Sequence, residues 1–442
     1  MEAQLDTMDT LTQTAFGRAL IGDSLMFHLL FITFGVGMPL LIGLLEYMAI
    51  KTGDAKWRHT ARSWSKVFIL LFITGAISGT MIAVQLGVVW PQFMAIAGPV
   101  MGFAFFSEGL AFYVEAAFLG LYMLTWDRLK GWAHLGLLIP VGVAAAASAF
   151  LITSVNAWMN APQGFRMENG LPVDIEPLVA MFNPALFTTF THSMVGYYLT
   201  AAAAAAGYYA WCWLRRPAAR TKHHSQVMGL MLGVMLVMGV LMGVTGDASA
   251  KYIAKYEPAK LAAAEALFTT TAGAPLTIGG WLVDGVWHGT IAIPNLLSWL
   301  ATGNMNATIQ GLDQIPRSDW PPLQIHYFFD GMVAIGMALV GLIVLYWLLY
   351  WKRRTATTSR PVLWALVAAG PLAMIAMQLG WLVTEIGRQP YTIAGILRTQ
   401  DAITASPSVV RAAVVFPVLY IVMLVVTLWV LVRMHQGKER VS

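Results

Sequence analysis

Cysteine is nearly absent from this chain: Cys212 is the one example in 442 residues. Intrachain disulfides are therefore excluded, and so are thiolate metal clusters. A redox metal here must be held by histidine, methionine or carboxylate, or arrive inside a cofactor. Charge is scarce too. Asp, Glu, Lys and Arg make up 11% of the residues, where a soluble domain carries about a quarter. Apolar residues fill 58%. This balance excludes a soluble globular domain and predicts an all-α, polytopic helical membrane protein, with the lipid bilayer as its solvent.

A helix needs about 20 apolar residues to cross a bilayer. Nine such stretches are legible, at 21–49, 67–90, 98–125, 133–154, 184–214, 226–246, 326–351, 361–386 and 412–432. Several are longer than the bilayer requires, so tilt or extension beyond it is expected. The first has no small-residue cleavage site after it and carries Glu46 and Tyr47 in its last turns. It reads as a retained helix rather than a signal peptide. The alanine run 201–206 reads as close helix packing.

The net charge of +5 needs no nucleic-acid partner, because 18 of the 27 Lys and Arg residues lie in alternate connections. Those connections hold Lys51, Lys56, Arg58, Arg62 and Lys66, then Arg128 and Lys130, then Arg215, Arg216, Arg220 and Lys222. Lys352, Arg353, Arg354 and Arg360 follow the seventh stretch, and Arg433, Lys438 and Arg440 the ninth. The positive-inside rule places them in the cytoplasm, with the N-terminus outside and the C-terminus inside. The chain divides into six helices over 1–246, one long outer segment over 247–325, and three helices over 326–442. The outer segment mixes charge with Trp281, Trp287 and Trp299, and Pro258–Phe268 has helical character. Long connections are often functional. The plain reading of this one is a cap at the membrane surface, and its composition suits an amphipathic ligand.

Ionisable groups at membrane depth are costly and need a partner, a cavity or a cofactor. Glu385 is such a group, in Gly380-Trp381-Leu382-Val383-Thr384-Glu385-Ile386-Gly387-Arg388-Gln389-Pro390. Glu108 and Glu115 lie seven residues apart in the third stretch, which puts both on one helix face. That arrangement suits a proton relay or a ligand to a cation or heme. Ser148 extends such a path or simply packs. Of nine histidines, His59, His134, His223 and His224 sit at cytoplasmic ends or loops and are expected to be solvated. His288 lies in the outer segment and His326 at the interface. His28 and His192 are different, because each lies inside an apolar stretch. A lone histidine there is more often a packing residue than a ligand. Met332 is one of 25 methionines and reads as packing, although a His/Met pair also holds low-spin heme.

Together these residues resemble subunit I of the cytochrome bd-type quinol oxidases, over essentially the whole length and in a short outer-loop form. The Gly380–Pro390 motif carries most of the likeness. Glu108-Gly109-Leu110, Phe118 to Leu121 after Glu115, Trp126 to Leu129, Asn156 to Met159, Asn183-Pro184, Gly246-Asp247 and Lys260 to Glu265 add to it. The resemblance implies two four-helix bundles and a peripheral helix with three hemes: a low-spin heme b, a high-spin heme b, and a heme d or third heme b. It implies His192 and Met332 as ligands of the low-spin heme. His28 would ligate one high-spin heme and Glu385 the other, with Glu108 beside the same pair. Glu108, Glu115 and Ser148 would line a proton route from the cytoplasm. Lys260 and Glu265 would serve quinol oxidation, Arg388 would meet a heme propionate, and Trp381 would bridge hemes.

The implied activity is quinol oxidation by oxygen in a cytoplasmic (inner) membrane, with charge separated without a pump. A second membrane subunit, and in some members a small single-helix subunit, would be partners. Two positions depart from the family pattern. Asp330 stands where an arginine is usual, and Tyr391 where a tryptophan is usual. Two other function classes fit the buried polar groups: a di-heme cytochrome b exchanging electrons with quinone, and a proton-coupled transporter. The transporter reading expects paired broken helices, and none stands out.

Overall fold

A computed structural model of the chain describes residues 2–404 and 406–439; Arg440, counted above among the cytoplasmic basic residues, lies outside them. Nine helices of 27 to 51 residues dominate the described residues. In chain order they are α1 (Glu2–Thr52), α2 (Ala55–Val89), α3 (Pro91–Leu124), α4 (Trp132–Asn160) and α5 (Leu186–Arg215). They continue with α6 (Lys222–Tyr256), α7 (Ile325–Lys352), α8 (Arg360–Ile386) and α9 (Pro407–Glu439).

Eight of the nine are long and apolar enough to cross a membrane, so the chain is a multi-pass membrane protein. The exception is α5, expected as a span over 184–214. It is equally long but carries Thr188, Thr189, Thr191, His192 and Ser193 in its first two turns. Four of these polar residues are half-buried and Thr191 is exposed, while the main buried part of α5 lies further along, from Val195 to Trp213.

Local chemistry sets the boundaries. Gly53 takes φ +67 between α1 and α2, a conformation cheap only for glycine. Asp54 then caps α2 by accepting from Lys56 N at 2.9 Å. Pro91 occupies the first turn of α3, where its missing N–H costs nothing. Pro39, Pro99, Pro140, Pro371 and Pro417 lie inside helices. Membrane helices tolerate this because neighbouring groups re-satisfy the freed carbonyls.

The chain forms two compact units, and the division falls within α4. The first contains residues 1–152, 164–177 and 399–442: α1, α2, α3, most of α4, and α9. In it α9 lies along α1 and α2. Tyr420 stacks on Phe27 with ring centroids 4.5 Å apart and donates to Ser24 Oγ at 2.8 Å. The outer face of α9 is apolar and exposed, with Val418, Ile421, Val425 and Trp429 on it, as a lipid-facing helix requires. The second unit contains residues 153–163 and 178–398: the last turns of α4, then α5 to α8 and the outer segment.

Within the second unit α5 and α8 approach closely. An added Cβ at Gly370 would stand 2.8 Å from Ala204 Cα, and one at Gly207 2.9 Å from Leu366 O. Ala204 of the alanine run stands at this contact, and Ala201, Ala202, Ala203 and Ala206 are buried as well, as close helix packing requires. The outer segment folds on a small core of its own. Leu261, Ala264, Leu267, Leu297, Ile309 and Leu312 pack together with Ile325 of α7 and Val383 of α8. Short antiparallel pairs, 276–278 with 291–293 and 281–283 with 286–288, complete it.

Candidate functional site

In the first unit His28 of α1 faces α2. Ser78 Oγ donates to Gly75 O at 2.9 Å, so its oxygen is left to accept, and His28 Nδ1 lies 2.9 Å away. The proton therefore sits on Nδ1 and the lone pair on Nε2, which is how a ligating histidine is oriented. A Cβ at Gly79 would stand 3.0 Å from His28 Cε1, so glycine makes room beside the ring. On α3, Glu108 Oε1 accepts from Ser148 Oγ of α4 at 3.0 Å. Glu115 is buried two turns further on.

A second polar cluster in this unit was not foreseen. Tyr122 OH donates to Glu46 Oε1 at 2.6 Å. His134 Nδ1 lies 2.9 Å from the same oxygen, and its Nε2 3.0 Å from Tyr122 O. His134 is 1% exposed, which overturns its expected solvation: three polar groups satisfy one another where α1, α3 and α4 meet. The available signal was spacing, since Glu108, Glu115 and Tyr122 repeat every seven residues along one face of α3.

His192 repeats the His28 pattern in the second unit. Thr245 Oγ1 donates to Leu241 O at 2.9 Å, and His192 Nδ1 lies 3.2 Å from that hydroxyl. Its Nε2 is again the nitrogen with a lone pair. Met332, half-buried on α7, has its Sδ 3.0 Å from where a Cβ on Gly380 of α8 would stand. Trp381 is half-buried on α8, one turn before Glu385.

Glu385 ends α8 with both oxygens engaged. Asn156 Nδ2 of α4 donates to one, and Arg388 Nη2 donates to the other at 2.5 Å. Nε and Nη1 of Arg388 are buried without a hydrogen-bond partner among the described residues.

Lys260 and Glu265 are 4% and 3% exposed, although both belong to the outer segment. Lys260 pairs with Glu257 and donates to Asn160 Oδ1 at 2.8 Å. Asn160 Nδ2 in turn donates to Asn156 O at 2.9 Å. A continuous polar chain thus runs from Lys260 through Asn160 and Asn156 to Glu385. Glu257, Asn156 and Asn160 were not foreseen as site residues; the four-residue spacing of the two asparagines was the signal for a shared face.

Burial and the charge of Asp330 push the Glu265 carboxyl up to about 8, against a hydrogen bond from the Thr277 backbone. Asp330 accepts from Gly279 N at 2.5 Å and lies 3.4 Å from His326 Nε2. Its carboxylate is thereby engaged with the outer segment. His326, expected at the interface, is 0% exposed.

A family model for cytochrome bd terminal oxidase subunit I matches residues 16–439. The chain belongs to that family. A solved bd oxidase from Geobacillus thermodenitrificans is similar over 96% of this chain and 98% of its own, with 40% identity and a TM-score of 0.92. A Bacillus subtilis (strain 168) protein, provisionally named cytochrome bd menaquinol oxidase subunit I, is 36% identical over 96% of this chain and 97% of its own. The cytochrome bd-II ubiquinol oxidase subunit 1 of Escherichia coli (strain K12) is 26% identical over 86% and 87%.

Membership in the bd oxidase family implies heme, and the residues present suit it. His28 and His192 each have Nδ1 committed to a hydroxyl, which leaves Nε2 for iron. Arg388 offers two buried, unpartnered N–H nitrogens, the donors a carboxylate such as a propionate would satisfy. Glu385 retains acceptor capacity beyond its two donors, since an ionised carboxylate has about four lone-pair sites.

Proposed function

We propose that this chain is the heme-bearing catalytic subunit of a terminal respiratory oxidase that oxidises quinol and reduces oxygen to water. Family membership supports this, and one observation carries it: two histidines inside the helical units are each held through Nδ1, with no hydrogen bond to Nε2 among the described residues. When bound, the hemes supply the electron path from quinol to oxygen and the place where oxygen is reduced.

The residues are assigned as follows. His192 and Met332 hold the low-spin heme b, His28 one high-spin heme, and Glu385 the other, a heme d or a third heme b. Arg388 would hold a propionate while steadying Glu385, and Trp381 would supply an aromatic contact to the hemes. Glu108, with its proton-donating neighbour Ser148, and Glu115 carry protons from the cytoplasm. Segment 247–325 is the quinol-binding loop, where Lys260 orients the substrate and Glu265 takes its proton. A base with a pKa close to the operating pH is suited to that step, and Glu265 stands at about 8. Protons leave outside and enter from inside, so charge is separated without pumping. This requires the N-terminus outside and the C-terminus in the cytoplasm. A second membrane subunit, and a small single-helix one, complete the complex.

The test is a reduced-minus-oxidised spectrum of the purified complex together with oxygen uptake on a soluble quinol. Three hemes and quinol-dependent uptake are expected. Replacement His192→Ala should remove the low-spin band; a variant with full heme content and normal quinol oxidation would sink the assignment. Heme without oxygen uptake would favour a quinone-linked cytochrome b, and absence of visible absorbance would favour a transporter.

A further inference from the structure

His326 is the most fully enclosed titratable group of the outer segment's junction with α7, and the reading above gives it no task. Its ring makes two hydrogen bonds to main-chain carbonyls: Nδ1 lies 2.6 Å from Ala264 O and Nε2 3.0 Å from Gly279 O. Carbonyl oxygens only accept. The ring is therefore the donor towards these carbonyls, and Asp330 Oδ2 lies 3.4 Å from Nε2. Ala264 immediately precedes Glu265. Gly279 follows the strand that contains Thr277, whose backbone bonds Glu265. One buried ring therefore fixes both segments that flank that carboxyl.

The same ring supports the hairpin 281–288. Trp287 packs on His326 with centroids 4.4 Å apart and on Tyr327 at 5.0 Å. Tyr327 OH accepts from Leu282 N at 3.0 Å. Behind Trp287 lies a cavity of about 390 Å³ lined by Ala266, Phe268, Thr277, Val286, Trp287 and Thr290. Its walls combine the apolar and aromatic faces of Phe268, Val286 and Trp287 with a nearly equal share of polar surface that includes Thr277 and Thr290. Trp287 Nε1 is buried with no partner among the described residues, a donor that a hydroxyl or carbonyl oxygen of a ligand would satisfy.

We propose that His326 is a positioning residue for quinol oxidation: it fixes the two segments that flank Glu265 and the hairpin whose Trp287 lines the cavity, and that cavity receives the hydroquinone ring. The proposal rests on the quinol-oxidase reading. It makes the hairpin 281–288, together with Lys260 and Glu265, part of the substrate site.

The test uses the whole complex in membranes. Oxygen uptake is measured against concentration of a soluble hydroquinone, and separately with an artificial one-electron donor that reduces the hemes without quinol. Replacement His326→Phe should raise KM for hydroquinone about tenfold or more, the order expected when a buried carbonyl loses its donor. Uptake from the artificial donor and the heme spectrum should stay as in the parent. His326→Gln, which keeps an amide N–H donor, should recover part of the loss. An unchanged KM in His326→Phe would overturn the proposal, and so would an equal fall with both donors. If the parent complex itself takes up no oxygen with hydroquinone, the quinol-oxidase reading fails instead, which is a distinguishable result.

Discussion

At the scale of single residues, the environment of a side chain matters more than its identity. Glu265 is a carboxyl with an ordinary value of 4.5, raised to about 8 mainly by burial and then by Asp330. Between those values the folded chain holds a proton that the unfolded chain has released. The stability contributed by this group is therefore full below about 4.5 and falls as pH rises towards about 8. In the proposed role of Glu265 catalysis runs the other way, because a base must be ionised to accept a proton. Quinol oxidation should thus climb with pH through about 8, and Glu265→Gln should remove that limb from the pH–rate profile. Arg388 gives a second prediction. It is buried and bonded to Glu385, and breaking a buried pair costs about 3–5 kcal/mol. Arg388→Ala should lower both heme content and the melting temperature of the purified complex; retention of both would show that the pair is dispensable.

At the scale of elements, two contacts can be tested. Gly370 on α8 meets Ala204 of α5 with no room for a side chain. Gly370→Val should force the helices apart at a cost of about 1–3 kcal/mol, seen as earlier thermal unfolding, whereas Gly109, with open space around it, should tolerate alanine. Asn160 links Lys260 to Asn156 and so ties the outer segment to the end of α8. Asn160→Ala leaves the Lys260 ammonium with Glu257 alone. It should weaken quinol turnover while sparing uptake from a donor that bypasses quinol.

At the scale of the whole molecule, the placement of basic residues makes orientation a measurable quantity. Cys212, near the basic connection after α5, is half-buried and the sole native thiol. In a Cys212→Ser background, cysteines introduced at the exposed positions Asp284 and Lys56 should differ in access to an impermeant thiol reagent. Position 284 should react from outside in intact cells, and position 56 only after lysis. The reverse pattern would invert the proposed proton sidedness.

Composition and hydropathy by themselves determined the class of protein and the places of nearly all its long helices, because a bilayer demands continuous apolar stretches with internally satisfied backbones. The seven-residue step from Glu108 to Glu115 and the Glu385–Arg388 motif were legible for the same reason: polar groups stand out against apolar surroundings. Tertiary structure alone decided which groups meet. His134 and His326 looked peripheral in the sequence, yet both are enclosed, since partners such as Glu46 and Gly279 lie 88 and 47 residues away along the chain. Asp330 looked like a misplaced charge until Gly279 and His326 supplied its neighbours. Hydrogen bonds of this kind depend on positions in space, and a one-dimensional pattern records spacing along an element but not the element packed against it.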